Sequence, residues 1–159
     1  RVIAMVHRYF DGSVPEAKNL LKADKKIAVV AEAAVQAADK AMDDVAIQDA
    51  LVAIWTLVDE LNGYLTEQEP WILAKDEDNR ERLATILATA LEGVRALAVL
   101  LSPFTPKASA KLWAAIGHSL GDLANQSILE AANWNQLKPG TEIGELESLF
   151  PRIEQDDKN

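Results

Sequence analysis

A chain of 159 residues is long enough to bury roughly two-thirds of the surface its unfolded form exposes, so a hydrophobic core needs no staple. Cysteine is absent, which excludes disulfides, thiolate metal sites and a cysteine nucleophile. The longest stretch without a charged residue, Ala96 to Pro106, is well short of the roughly twenty residues a bilayer span requires, so a cytoplasmic protein with no membrane segment is expected.

The chain opens on Arg1-Val2-Ile3-Ala4-Met5, with neither a start methionine nor a signal-peptide pattern, and enters directly into an apolar helical rhythm; it reads as a cut end. Phe10-Asp11-Gly12 should stop this first helix. From Lys25, the positions Ile27, Val30, Ala31, Ala34, Ala38, Ala41, Met42 and Val45 mark one face of a second helix, with Asp24 as its cap and Asp43-Asp44 at its end. Ile47, Leu51, Ile54, Val58, Leu61 and Leu65 then alternate spacings of four and three, and Asp44 is the expected cap of that helix. Glu69-Pro70 stops it. A further long helix is expected from about Asn79 to Leu101; its last turns are apolar all round, which places it mid-bundle. Ser102-Pro103-Phe104-Thr105-Pro106 forces a corner before a short helix carrying Leu112, Trp113 and Ile116. Beyond Gly121 the pattern weakens: Ser127 to Trp134 fits one short helix, and Leu137 to Gly140 and Leu149 to Ile153 read as a loop and a tail over the bundle. The expected fold is all-α, one domain over 1–159, with about five helices close to antiparallel because their connections are short.

Net charge is −9, which taken alone argues against nucleic acid, since lysine and arginine supply most of the affinity for phosphate. The distribution is uneven, however. Residues 1–26 hold six basic groups against three acidic ones, whereas the last eighteen residues hold six acidic groups against Arg152 and Lys158. One end could face phosphate.

Gly117-His118-Ser119-Leu120-Gly121 formally matches a Gly-x-Ser-x-Gly nucleophile elbow, but that chemistry needs a strand before the turn and a histidine later in the chain. A helix precedes it, and no histidine follows His118, so a glycine-flanked helix end is the expected reading. Asp76-Glu77-Asp78 is explained as first-turn charge favoured by the helix dipole, and Asp59-Glu60 as a solvated face. No metal-ligand spacing and no phosphate-cradling glycine loop occurs. Trp55 and Trp113 fall within helical rhythm and are expected in the core. Trp71 lies outside the stripe that ends at Leu65 and follows Pro70 at a helix exit. An indole there is suited to stack on an unpaired base or to fold back and cap the bundle; the pattern leaves both open.

The segments Arg1 to Gly12, Leu61-Asn62-Gly63-Tyr64-Leu65-Thr66-Glu67-Gln68-Glu69-Pro70-Trp71 and Leu149-Phe150-Pro151-Arg152-Ile153-Glu154 resemble methionyl-tRNA synthetases in order and spacing, as do the Leu101 to Pro106 corner and the Asn133 to Gly140 stretch. An Asn-x-Tyr…Pro-Trp helix exit is shared loosely by several class I synthetases; the Leu-Phe-Pro-Arg-Ile close favours methionine. The resemblance implies an anticodon-binding helical bundle that does no bond chemistry itself. A separate Rossmann-type catalytic domain upstream would activate methionine with ATP and Mg and charge the methionine tRNA. Its His-x-Gly-His and Lys-Met-Ser-Lys-Ser signatures are absent from these residues. The resemblance also implies that Trp71 stacks on a splayed anticodon base with Pro70 shaping its turn, and that Arg1, the end of an Asn-x-x-x-Arg motif, contacts the anticodon. Arg8, seven residues on and so on the same helical side, fits a loop phosphate contact, and Asn62 a supporting one or a helix-end cap. The remaining acidic surface would suppress non-specific RNA binding. The alternatives are the equivalent domain of another class I synthetase and, from a different class, an acidic helical module that docks proteins.

Overall fold

A computed structural model describes residues 1–151, and its helices form where the sequence punctuates itself. In chain order they are α1 (Val2–Phe10), α2 (Lys22–Asp43), α3 (Ile47–Gln68), the single-turn α4 (Pro70–Leu73), α5 (Arg80–Leu100), α6 (Pro106–Ala115) and the single-turn α7 (Leu120–Leu123). Two 3-10 turns, Glu77–Asn79 and Leu129–Ala132, complete the described secondary structure apart from an isolated bridge between Ser13 and Glu142. The five helices longer than one turn agree with the all-α expectation. The Leu149 to Glu154 motif runs past the described residues at Arg152, Ile153 and Glu154.

α1 ends because Asp11 (φ 52°) and Gly12 (φ 75°) turn left-handed, a conformation in which Asp and Gly carry little penalty. Gly12 has a second reason: a Cβ there would come within 2.7 Å of the His7 ring. Pro70 and Pro106 each take the first position of a helix, where a missing N–H costs nothing.

α2 and α3 form an antiparallel hairpin whose register is set by the Lys26–Glu60 ion pair (2.6 Å) and by the Tyr64 hydroxyl, which donates to Asp24 (2.5 Å). α5 lies in the middle, as its all-round apolarity predicts: Leu83, Ile86, Leu87, Ala90 and Leu91 are buried against Ile27, Ala31, Val35, Ile54 and Leu57. Each large side chain so buried contributes about 1.5–3 kcal/mol. Gly93 leaves room for α3 on α5: a Cβ there would stand 2.6 Å from a Leu61 methyl. By length and composition alone the stretch Glu77–Leu100 is apolar enough to cross a membrane, but most of it is buried inside the bundle, and its two charged residues near the middle, Glu92 and Arg95, pair with each other.

Three expectations are corrected. Trp55 is not in the core: it is 55% exposed, whereas Trp113 is 2% exposed. The bundle covers α3 through Ala50, Ile54, Leu57, Leu61 and Tyr64, a face rotated away from Trp55. Asp24 is not the N-cap residue of α2, which begins three residues before Lys25; it is the third residue of the helix and caps from within the first turn, accepting from the Leu21 N–H (2.7 Å). Asp44 does not cap α3, because Val45 (φ 57°) and Ala46 intervene and Ala46 takes that position.

Candidate nucleic-acid interface

The corner that presents Trp71 is built from backbone chemistry. Glu69 adopts a left-handed conformation (φ 44°, ψ 55°), ending α3 and starting α4 in one residue. Its carbonyl accepts from the Ile72 and Leu73 N–H groups at 2.8 and 3.2 Å. Pro70, buried, follows directly, so the chain reverses at a rigid step and leaves the Trp71 indole only partly covered. Trp71 is half-buried and not sealed within the bundle, so the indole does not fold back to cap the core completely.

The Arg1 guanidinium lies over the Trp71 ring, 5.6 Å from its centroid. Arg1 also lines a groove of about 830 Å³ together with Arg8 and Asn62, over an apolar lining that includes Leu61, Leu65 and Leu97. The groove therefore joins Arg1, Arg8 and Asn62, and Arg1 links it to Trp71; Trp71 and Pro70 themselves lie outside its lining. The Arg8 guanidinium is placed over the Tyr9 ring at 5.5 Å. Asn62 is exposed and six residues short of the end of α3, so it is not a helix-end cap.

A second set of residues, whose link to one another no local pattern shows, holds this corner in place. Arg82 grips the Asp24 carboxylate through two hydrogen bonds (2.6 and 2.8 Å) and donates to Gln68 Oε1 (2.6 Å), the residue just before the Glu69 turn. Asp24 is wholly buried. Burial pushes its carboxyl upward, but the hydrogen bonds from Arg82, Tyr64 and the Leu21 N–H outweigh that and hold it below the ordinary carboxylate value. Burial, and then the Asp24 carboxylate it serves, push the Tyr64 hydroxyl well up, so it stays a donor. The signal in the sequence was an acid within the first turn of α2, but its partner lies 58 residues away.

The other side of the groove depends on the tail. Buried Glu92 accepts from Arg95 and from the backbone N–H groups of Gln136 and Leu137 (3.0 Å each), while Arg95 donates to the carbonyls of Ala131 and Asn133. Beyond that clamp, the Val14 N–H donates to Thr141, the Ile143 N–H to Gly12, and His7 Nε2 to the Gly144 carbonyl (2.9 Å). The tail thus fastens the C-terminal end of the helix that carries Arg1 and Arg8.

The Gly117 to Gly121 motif is a helix end. α6 stops at Ala115, Gly117 is left-handed (φ 90°), and a Cβ there would strike the Glu142 carbonyl at 2.7 Å. His118 stacks on Trp113 (4.1 Å, 16°); burial, helped by the nearby charge of Arg95, pushes its pKa down. Asp76 accepts from the Asp78 N–H at the start of a 3-10 turn, in keeping with a local structural role. Among the described residues no group of three histidine, aspartate or glutamate side chains could hold a metal ion.

A family model described as the anticodon binding domain of methionyl tRNA ligase matches residues 14–159. The chain belongs to that family. Methionine–tRNA ligase of Streptomyces coelicolor is 43% identical over 160 residues, covering 98% of this chain and 30% of that protein. The crystal structure of apo methionyl-tRNA synthetase from Mycobacterium tuberculosis superimposes with a TM-score of 0.86 at 30% identity, covering 98% of this chain and 31% of that one. The same enzyme bound by methionyl-adenylate gives 0.85 at 30% identity, over 95% of this chain and 29% of that one. The chain thus spans under a third of the length of these relatives. Their helical bundle is the one described here, and the alternative of an unrelated protein-docking module falls away.

Proposed function

We propose that residues 1–159 act as one domain that reads the anticodon loop of a methionine tRNA, within a cytoplasmic methionine–tRNA ligase. The catalytic Rossmann-type portion, with its ATP and Mg, lies elsewhere in that polypeptide, upstream of Arg1; the methionyl-adenylate held by the Mycobacterium tuberculosis relative supports ATP as the cosubstrate. The observation that carries this reading is the Arg1 guanidinium 5.6 Å above a partly uncovered Trp71 indole, at the edge of a groove that also holds Arg8 and Asn62.

An anticodon loop offers unpaired bases with free faces and edges, read by aromatic stacking and by hydrogen bonds. Trp71 offers the flat apolar face, and Pro70 fixes the turn that presents it. Arg1, beside the ring, has donors in reach of a base edge. Arg8 fits the loop phosphate, and Asn62 supports the groove wall between them. Most of the acidic surface lies elsewhere and limits non-specific RNA binding, so specificity rests on stacking and edge contacts.

The test is Trp71→Ala in the full-length ligase. Loss of one stacked base, worth about 1–3 kcal/mol, lowers tRNA charging efficiency about 5- to 150-fold while ATP–pyrophosphate exchange with methionine is unchanged. Equal loss in both steps, or in neither, overturns the assignment.

A further inference from the structure

His7 is one of the chain's two histidines and stands on α1 beside Arg8. Its Nε2 meets the Gly144 carbonyl at 2.9 Å, across 137 residues of chain. A carbonyl oxygen only accepts, so Nε2 carries the proton. The far side of the ring is fitted as closely: at Gly12 any Cβ would come within 2.7 Å of His7 Nδ1 and 2.8 Å of Cε1.

The way α1 is seated makes this bond matter. Its buried residues, Val2, Ile3 and Val6, all belong to its N-terminal half. Towards the other end Tyr9 and Phe10 are half-buried and Arg8 is exposed. Apolar burial therefore seats the beginning of the helix, whereas polar links to the tail locate the end that carries Arg8. These links are His7 to Gly144 and the Gly12 carbonyl, which accepts from the Ile143 N–H (2.8 Å). The tail is anchored in turn, because the Gly144 N–H donates to the Ala115 carbonyl at the end of α6 (2.8 Å). A nine-residue helix moves as a short rod, so any roll or tilt of that end carries Arg8 with it.

We propose that His7 is a positioning residue for RNA: its bond to Gly144 fixes the roll of α1 and so aims the Arg8 guanidinium at the loop phosphate. This rests on the reading above that Arg8 meets that phosphate. His7 lines the same groove, but its Nε2 is taken by Gly144, and it acts through Arg8 rather than on the RNA.

The experiment is a double-mutant cycle in the full-length ligase. Affinity for tRNA is followed against salt for His7→Ala, Arg8→Ala and the pair, with His7→Gln as the conservative variant. His7→Ala makes the slope of log K against log salt shallower by up to about 0.7, the contribution of one phosphate on a single strand. The pair is no shallower than Arg8→Ala alone. His7→Gln keeps an N–H donor at a similar reach and restores the wild-type slope. KM for tRNA rises in His7→Ala while kcat and ATP–pyrophosphate exchange are unchanged. Its urea midpoint stays near that of the wild type, because a single hydrogen bond open to solvent contributes little net stability. Additive slopes in the pair would mean that His7 meets RNA on its own account. An unchanged slope in His7→Ala, with or without a lower urea midpoint, would make it a brace for the fold alone, and a slope that His7→Gln fails to restore would show that the bond to Gly144 is not what counts. Each of these overturns the proposal. An unchanged slope in Arg8→Ala removes the phosphate contact on which the inference rests, whereas a Trp71→Ala enzyme that charges tRNA normally sinks the anticodon reading, so the two failures stay distinct.

Discussion

Four arginines separate two regions of this bundle. Arg82 and Arg95 are committed to the fold: the first holds Asp24 with two hydrogen bonds and Gln68 with a third, and the second, 1% exposed, holds Glu92 and two backbone carbonyls. Arg1 and Arg8 are exposed, and among the described residues neither has a carboxylate within 4.0 Å. Each rests over an aromatic ring instead. A ring steadies a guanidinium for about 0.5–1 kcal/mol at an exposed site without neutralising it. The charge therefore stays available to a phosphate or a base edge, whereas a guanidinium locked in a charge-assisted fork is committed to the fold.

The sharpest break of that contrast is Arg95→Ala. It would leave the Glu92 carboxylate buried without its cation and the Ala131 and Asn133 carbonyls without their donor, at a cost of about 3–5 kcal/mol. Arg1→Ala should cost under about 1 kcal/mol, as exposed charges do. Urea unfolding of the two variants measures both values. Comparable losses would mean that the two kinds of arginine do not differ in what they do for the fold.

Acid sharpens the comparison at the other buried pair. The Asp24 carboxyl is held below its ordinary value of 3.8 in the folded state, so its stabilising effect is complete above about pH 4. It is lost as pH falls through the depressed folded value. Asp24→Asn keeps the shape but weakens the bonds with Arg82 and Tyr64, costing about 1–3 kcal/mol at pH 7. Its stability should then fall less steeply than that of the wild type below pH 4. Parallel curves would show that Asp24 does not titrate in this window.

The elements that were legible in the sequence are those set by local chemistry. Asp11-Gly12, Glu69-Pro70 and the Pro103 to Pro106 corner end or start helices where they stand, because the backbone limits of glycine and proline need no partner. α5 was legible as the central helix for the same reason, since its composition is apolar on every side. What periodicity could not do was choose between the edges of α3. Apolar residues occupy more than one face, and which edge is covered depends on α2 and α5, so Trp55 looked as buried as Trp113. The local half of Asp24, its bond to the start of α2, is legible; its other partners, Tyr64 and Arg82, are 40 and 58 residues away and no local pattern shows them. The Trp71 corner was found through Pro70 and the family pattern, but the stacking of Arg1 on it depends on how α1 is laid down by the tail, which no local rule specifies.

Arg8 gives the smallest effect and the most direct check on the exposed side. One phosphate contact on a single-stranded loop contributes about 0.7 to the slope of log K against log salt. Arg8→Ala in the full-length ligase should make that slope shallower by about this amount, with the preference among anticodon sequences and ATP–pyrophosphate exchange unchanged. Arg8→Lys should keep the slope, because the charge survives even though the flat packing over Tyr9 does not. A slope that stays put in Arg8→Ala would mean that an exposed cation over a ring can be idle, and would leave Arg1 beside Trp71 as the one arginine of the pair that meets RNA.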